Sequence, residues 1–575
     1  MGLFRSGSAV QGGIVPDVAA LLNRSLSIVA TAAVLSMAAP PTLAQSSASP
    51  AGAPAGTEAS AAAATLPQRI EQALHAQPDR STESDVVRLF YYSRAYRPVG
   101  YGSARSGEVI AAARASSQHG LMPADFAIDA LREAAASGSD DPDAIVRREL
   151  LFTDAVARLA RQTYYGKVDP AALYPTWNFA PIAGVRERAR MLAALLDADS
   201  ISMALAVLAP QDDAYRGLQK ALSRYSELAA KGSWPRLPDG PTLRPGQRDA
   251  RVRTLRQRLQ AEGWIAAGDK GAARGDPASY DRALAAAVER FQQAHGLPAD
   301  AAVGSGTLAA LNVSAAERVA QIRVNLERLR WLARDTTADR LVVDIAGFNA
   351  ELLINGASRW SSKVVVGRPT RETPVLLDHV QHLVLNPKWV VPPTVLREDI
   401  IPKAAGNPAY LDKLRMRVID GRGQPVAPTT IDWSEARRTG FPYQLVQQSG
   451  ADGALGYLKF SLSNGYSIYL HDTPSRGQFR KPVRALSSGC VRLEKPRDLA
   501  LLLLDDPRLW SAEALDAAIA SGRTQTVAVD RQVPVMLLYR TAVADATGAV
   551  SFRSDIYNHD GAVLALLDAT TPPRH

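Results

Sequence analysis

The sequence predicts an α+β chain built from several domains, helical through its first half and strand-rich towards its end. From Leu66 to about Leu237, apolar residues recur at helical spacing: Ile70, Ala73 and Leu74, then Val86, Val87, Leu89 and Phe90, then Ala155, Val156, Leu159 and Ala160. From Leu341 onward the pattern turns into short β-branched runs (Leu341–Ile345, Glu351–Ile354, Lys363–Val366), with Asn355-Gly356 as a hairpin turn. A chain of 575 residues is too long for one core and fits three or four domains.

Arg5 and Arg24 precede an apolar run from Leu26 to Ala39, closed by Pro40-Pro41-Thr42-Leu43-Ala44. The run is too short to span a bilayer comfortably, so residues 1–44 read as an export signal cleaved after Ala44. The long leading segment contains Asp17, which keeps an uncleaved anchor as the alternative. Residues 45–65 are Ala, Ser, Pro and Gly with one charge, a disordered linker. The helical domain expected over 66–237 shows no chemistry; His75 and His119 read as surface or structural residues. A proline- and glycine-rich joint, Trp234–Gly246, leads to a compact unit over 238–314. There Val252, Leu255 and Leu259 form one helix face and Leu284, Val288 and Phe291 a second, closed by Gly296. Thr307, Leu308 and Leu311 suggest a third helix. Residues 315–338 read as a helical connector with Val319, Ile322, Leu326 and Leu329 on one side.

The β-rich region is expected over 339–570. Arg397 to Gly440 carries mixed helix and turn signals. Thr526–Val529 and Val535–Tyr539 read as further strands, and Val543–Asp560 continues the β pattern through Gly548. Net charge is +9, with no zinc-finger spacing and no long basic run to point to nucleic acid. A solvated surface accounts for it, or a mild attraction to an anionic wall or membrane surface.

The chemistry concentrates between Ser467 and Lys495. His471 precedes Cys490, the only cysteine, by nineteen positions. A thiol is a useful nucleophile as thiolate, and a nearby imidazole is the usual means of generating one. Tyr466–His471 alternates, which places His471 at the end of a strand and opposite in direction to Leu470. Cys490 follows the small-residue turn Ser487-Ser488-Gly489, whose amides can point at a developing oxyanion. Pro496–Leu504 reads as a helix opened by proline. From these residues alone, a buried structural cysteine and a structural histidine are about as good a reading as catalysis. A metal site fits less well, because Cys490 has no second cysteine and no histidine at ligand spacing.

The stretch resembles the active-site signature of the L,D-transpeptidases (YkuD-type catalytic domain). Ser487, Gly489, Cys490 and Arg492 match it, while Ser488 stands where many members carry a second histidine. Ser-Ser-Gly-Cys-Val-Arg, with His471–Arg476 upstream, is similar to the large periplasmic subfamily. Gly367-Arg368-Pro369, Thr373-Pro374 and His382–Pro393 resemble earlier parts of the same domain. Tyr96-Arg97-Pro98, Gly166–Pro170 and Leu208-Ala209-Pro210 resemble that subfamily's helical scaffold, with Gly100 where a tryptophan is expected. The three-helix unit resembles a peptidoglycan-binding module, although Asp300-Ala301 replaces the common Asp-Gly.

The resemblance implies a scaffold, a wall-binding module and a mostly β catalytic domain under an inserted cap, about 395–440. It implies that Cys490 attacks the stem peptide and His471 carries protons, with the amides around Gly489 and Cys490 holding the oxyanion. Ser487, Ser488, Arg492 and Trp389 are then the substrate-binding residues. Arg492 would bind a substrate carboxylate or brace the loop through backbone carbonyls. Ser487 would orient His471, donate to the substrate or simply form the turn, and Trp389 would line the groove or sit in the core. Asp472 follows His471 in a strand and should point away from it. The implied partners are tetrapeptide stems as donors, diamino-acid amines as acceptors and glycan strands at the module, in the periplasm, with no cofactor, metal or nucleic acid; a membrane tether enters only with an uncleaved signal. An L,D-carboxypeptidase, an exchanger of the terminal D-amino acid and a non-catalytic wall-binding protein are the rivals. A papain-like protease is disfavoured because His471 precedes Cys490.

Overall fold

The computed structural model describes residues 64–77, 81–232, 234–266, 276–407 and 409–570. The expected export signal and nearly all of the linker lie outside the described residues. The described residues form two compact units: one holds those up to Lys167, then Ile182–Gln211 and those from Leu567, and the other holds those of Val168–Pro181 and Asp212–Leu566.

The first unit is helical: α1 (Leu66–Ala76), α2 (Thr82–Ser93), α3 (Ser103–Ala115), α4 (Ile128–Ala136), α5 (Pro142–Tyr165), α6 (Val185–Leu196) and α7 (Ile201–Leu208). The central α5 starts at Asp141, whose carboxylate accepts from the Ala144 amide, with Pro142 in its first turn. Val146, Leu150, Phe152, Val156 and Leu159 of α5 pack among Phe90, Val109, Leu131, Leu192 and Leu205. Its buried Glu149 is held by the Tyr91 hydroxyl at 3.0 Å and the Gly100 amide at 3.2 Å. Gly100, where a tryptophan was expected, has a positive φ of 79° and supplies a backbone donor instead of a ring.

In the second unit, α8 (Asp213–Ala230) is grouped with the later part of the chain. Its apolar face of Tyr215, Leu218, Ala221, Leu222 and Tyr225 is buried and packs on α12 (Ala315–Leu332), where Arg330 donates to the Tyr215 hydroxyl at 2.9 Å. Between them lie α9 (Arg251–Ala261), α10 (Arg282–Ala294) and α11 (Ser305–Leu311). Val252, Leu255, Leu259, Leu284, Val288, Phe291 and Leu311 share one small core, and Gly296 closes α10 with a φ of 64°. The module is bonded to its surroundings by buried polar groups. Arg258 meets Glu262 at 2.8 Å, both side chains fully buried, and the Tyr225 hydroxyl donates to Glu262 at 2.6 Å. His295 lies stacked on Phe291 at 3.9 Å and near Phe552 at 5.6 Å.

The β-rich region runs β1 (Arg340–Asp344), β2 (Asn349–Ile354), β3 (Ala357–Gly367), β4 (Leu376–Leu385), then a cap, then β9 (Leu458–Leu462), β10 (Leu470–His471), β11 (Ala485–Ser487), β12 (Val491–Leu493), β13 (Gln525–Ala528) and β14 (Pro534–Leu538). Neighbours follow the order β3-β12-β10-β9-β4-β14-β1-β2, and β2 pairs back onto β3, so the sheet closes on itself; β11 and β13 pair outside the ring with β3 and β4. The Asn355-Gly356 turn has φ of 53° and 74°, as a two-residue hairpin requires. The cap has its own sheet of β5 (Trp389–Val390), β6 (Met416–Ile419), β7 (Pro425–Val426) and β8 (Gln444–Gln447). It also holds helical turns at Pro393–Val395 and Leu396–Ile400 that lead into α13 (Ile401–Gly406), and α14 (Trp433–Thr439). Its core of Ile400, Ala404, Leu411, Val418, Trp433 and Leu445 reaches beyond the expected 395–440 because β5 and β8 pair with each other.

One local expectation fails, and the β pattern expected through Gly548 is met by a hairpin. The alternating stretch Tyr466–His471 is a strand only at Leu470–His471, since Ser467 has a φ of 59° and Ile468–Tyr469 lie outside the ladder. After β14, the chain forms a separate hairpin, β15 (Ala542–Ala544) and β16 (Val550–Phe552), and then turns helical at Asp560–Asp568. Its first residue, Asp560, pairs with Arg328 of α12 at 2.6 Å.

Candidate active site

Register across three strands sorts the side chains around His471. Leu470 pairs with Phe460 of β9 and with Val491 of β12, and all three are buried in the core. By strand alternation the next positions, Lys459, His471 and Arg492, form a row on the opposite face. His471 is 4 % exposed, and its Nδ1 lies 2.5 Å from the Asp472 carbonyl oxygen. A carbonyl only accepts, so Nδ1 carries the proton and Nε2 keeps its lone pair. Burial above all, and then the Arg492 and Lys459 charges, hold the imidazole down to about 3 from its usual 6.5. His471 is therefore a neutral base at physiological pH.

The turn before Cys490 is fixed from three sides. The Ser487 hydroxyl donates to the Cys490 carbonyl at 2.6 Å and accepts from the Gly489 amide at 3.2 Å. The Gly489 carbonyl accepts from Thr373 at 2.7 Å, and the same threonine oxygen accepts from the Gly367 amide at 2.9 Å. Tyr557 donates to the Gly367 carbonyl at 2.6 Å. Gly489 has a φ of 114°, and an added Cβ would stand 3.4 Å from both the Glu372 carbonyl and Ile468 Cδ1. Only glycine fits there without strain.

Cys490 is half-buried, and its Sγ–H donates to the Ser467 carbonyl at 3.5 Å. Burial pushes the thiol up from its usual range, while hydrogen bonds from the Tyr469 backbone and phenol and the Lys459 and Arg492 charges work the other way. The Tyr469 phenol is in turn hydrogen-bonded by Trp389 of the cap. Cys490, His471, Tyr469, Ser488, Arg492 and Trp389 all line one cavity of about 320 Å³.

Arg371, in the loop after β3, ties this cavity to the cap. Its guanidinium meets Asp399 at 2.5 Å and Glu398 at 2.6 Å, and donates to the Ser488 hydroxyl at 3.1 Å. Arg368 adds a second contact to Asp399 at 3.3 Å.

The structure gathers the expected residues but revises their parts. The Gly489 amide is turned onto the Ser487 hydroxyl and so is engaged within the turn. Ser487 is 2 % exposed with its hydroxyl committed to the turn, so it neither reaches His471 nor offers a donor to substrate. Ser488 is exposed beside Arg371. Arg492 donates to the Gln478 side chain at 3.0 Å, not to backbone carbonyls. Trp389, for which lining the groove and sitting in the core were alternatives, packs at the edge of the cap core and lines the cavity. The Asp472 carboxylate faces away, towards the Tyr457 amide at 3.0 Å and Arg476 at 3.3 Å. Sequence reasoning missed Lys459, Tyr469 and Arg371. Tyr469 shares the alternation phase of His471, which marks it in hindsight; Lys459 comes close only through strand pairing. Among the described residues no group of three or more His, Cys, Asp or Glu side chains could hold a metal ion, and no helix is long and apolar enough to cross a membrane.

In comparison with known proteins, residues 338–509 match the L,D-transpeptidase catalytic domain. The chain carries an L,D-transpeptidase domain. Residues 85–222 match a scaffold domain, and 248–311 match the domain described as "Putative peptidoglycan binding domain". A Haemophilus influenzae protein named "Putative L,D-transpeptidase" is 35 % identical over 240 residues, which cover 42 % of this chain and 48 % of the relative. The chain thus spans about half the length of the curated relative it matches. The matched residues 338–509 contain the whole row Lys459–His471–Arg492, the turn before Cys490 and the cap.

Proposed function

We propose that this chain forms 3-3 cross-links in peptidoglycan through an acyl-enzyme on Cys490, working outside the cytoplasmic membrane at the cell wall. The observation that carries the reading is one cavity that presents a lone thiol and a neutral imidazole whose Nδ1 is already tied down. A tetrapeptide stem enters beneath the cap. The Cys490 thiol passes its proton to His471 Nε2, and Sγ adds to the carbonyl of the diamino acid at position three. The Cys490 amide holds the oxyanion. As the carbon–nitrogen bond breaks, His471 returns the proton to the departing D-alanine amine, leaving a thioester.

The side-chain amine of a second stem's diamino acid then attacks the thioester. His471 removes its proton, the carbon–sulfur bond breaks, and the proton returns to sulfur. Water as acceptor would give a tripeptide by the same residues. Arg492 and Ser488 on the cavity wall, with Trp389 above, line the path of the stem, while the module over 248–311 takes glycan strands.

Mass spectrometry of the full chain incubated with a disaccharide-tetrapeptide tests the reading, with Cys490→Ala alongside. A dimer with loss of D-alanine, absent from the variant, is expected. A tripeptide without dimer would replace cross-linking by carboxypeptidase action, and turnover by Cys490→Ala would overturn the thiol mechanism.

A further inference from the structure

Three potential cations lie side by side on one face of the barrel. Lys459 stands directly opposite His471 on β9, and Arg492 directly beside it on β12. Among the described residues neither flanking charge is met by a carboxylate. Arg492 donates to the neutral Gln478, and its buried Nε has no hydrogen-bond partner. Lys459 is half-buried with its Nζ 4.2 Å from the centre of the Tyr469 ring, an aromatic face in place of a counter-ion. That ring in turn lies 5.6 Å from the His471 ring and hydrogen-bonds the Cys490 sulfur through its phenol. Of the other charged groups nearby, the Asp472 carboxylate faces away to Tyr457 and Arg476, and Arg371 and Glu372, which line the same cavity, are engaged with Glu398, Asp399 and His559.

Two uncompensated charges beside a buried imidazole are costly for the fold alone, because like charges on paired strands repel. They have one useful effect, which bears on the reacting pair: a second positive charge on His471 is opposed, and negative charge on the neighbouring sulfur is favoured. We propose that Lys459 is a positioning residue of this site, which together with Arg492 keeps His471 as the free base and supports the anion that develops at Cys490. The inference rests on the Cys490–His471 reading and adds to it a residue twelve positions upstream of the histidine that no signature marks. Lys459 works through charge, held in place by the Tyr469 ring, and takes no part in the proton transfers.

The test uses the full chain and two readouts. The first is the imidazole nitrogen signal of His471 followed by NMR from pH 2.5 to 8, which needs no turnover. The second is the rate at which iodoacetamide alkylates Cys490 against pH. In the unmodified chain His471 should stay neutral down to at least pH 5; an imidazole protonated between pH 5 and 6 overturns the proposal whether or not any variant folds. Lys459→Met should raise the His471 midpoint and slow alkylation at pH 8 by about tenfold, the equivalent of one unit in the thiol. Lys459→Arg should restore both. If Lys459→Met folds and both titrations stay in place, Lys459 is only a packing residue. The NMR midpoint separates this claim from the mechanism: it would move with Lys459→Met even if Cys490→Ala retained turnover.

Discussion

Replacing Arg371 by Met should uncouple the cap from the nucleophile turn. The Arg371 side chain is 9 % exposed and reaches both Asp399 of the cap and Ser488 of the turn. Asp399 is 31 % exposed, so its paired contacts to Arg371 are partly screened and contribute about 1–2 kcal/mol, less than the same bonds would in a dry interior. Glu398, on the surface, adds to the attachment without changing this order. At about 1.4 kcal/mol per tenfold, the ratio of docked to undocked cap should fall about 5- to 30-fold in Arg371→Met. Hydrogen exchange would show faster labelling across residues 389–447 and in Ser487–Gly489, with the barrel strands unchanged. The kcat/KM for the tetrapeptide should fall by a comparable factor, and Arg371→Lys should recover part of it. If exchange in the turn and kcat/KM both stay within twofold of the unmodified chain, Arg371 does not link the two parts.

Other outcomes follow from geometry described above. Gly489→Ala should fold but lose at least tenfold in activity, since a left-handed φ and two 3.4 Å contacts impose about 1–3 kcal/mol of strain at the turn; a soluble variant with full activity would show that the turn relaxes freely. Glu262→Gln strands the fully buried Arg258 and should destabilise the module by about 3 kcal/mol, read as early proteolysis between residues 248 and 311. His295 is held down to about 3 by burial, so the unfolded chain binds its proton first and stability falls as pH drops from about 6.5 towards 3. At pH 5 this one group should cost about 2 kcal/mol relative to pH 7, and His295→Phe should flatten the melting curve against pH. Equal slopes in the two proteins would remove His295 from the acid response.

What the sequence disclosed was local in kind. The Asn355-Gly356 turn, the helix over Pro496–Leu504 and the inward faces of α9 and α10 each depend on residues close in the chain, and each stands where the patterns put it. His471 and Cys490 were legible because a spaced signature carries them. Lys459 was not, because its position beside His471 depends on the pairing of β9 with β10, a non-local register. The Gly489 amide illustrates a second limit: the small-residue turn foretold close approach, but not that the Ser487 hydroxyl would claim that donor. At Tyr466–Tyr469 the alternation was real, yet one left-handed residue, Ser467, takes the segment off the ladder. The packing of α8 on α12 was illegible for a related reason, since α8 has the same helical periodicity as its predecessors and only its partner distinguishes it.

The module's buried Arg258–Glu262–Tyr225 group has a consequence for reach. A domain on a slack linker samples many distances, and its help to catalysis is an average over all of them. Here Tyr225 belongs to α8, which packs on α12, the helix that leads into β1. A glycan strand seated on this module would be held at one separation from Cys490, like work clamped at a set distance from the tool. Stems at that spacing would meet the thiol readily, while those a few residues of glycan nearer or farther would not, so the pattern of cross-links along a strand would carry the length of α12 as its unit of measure.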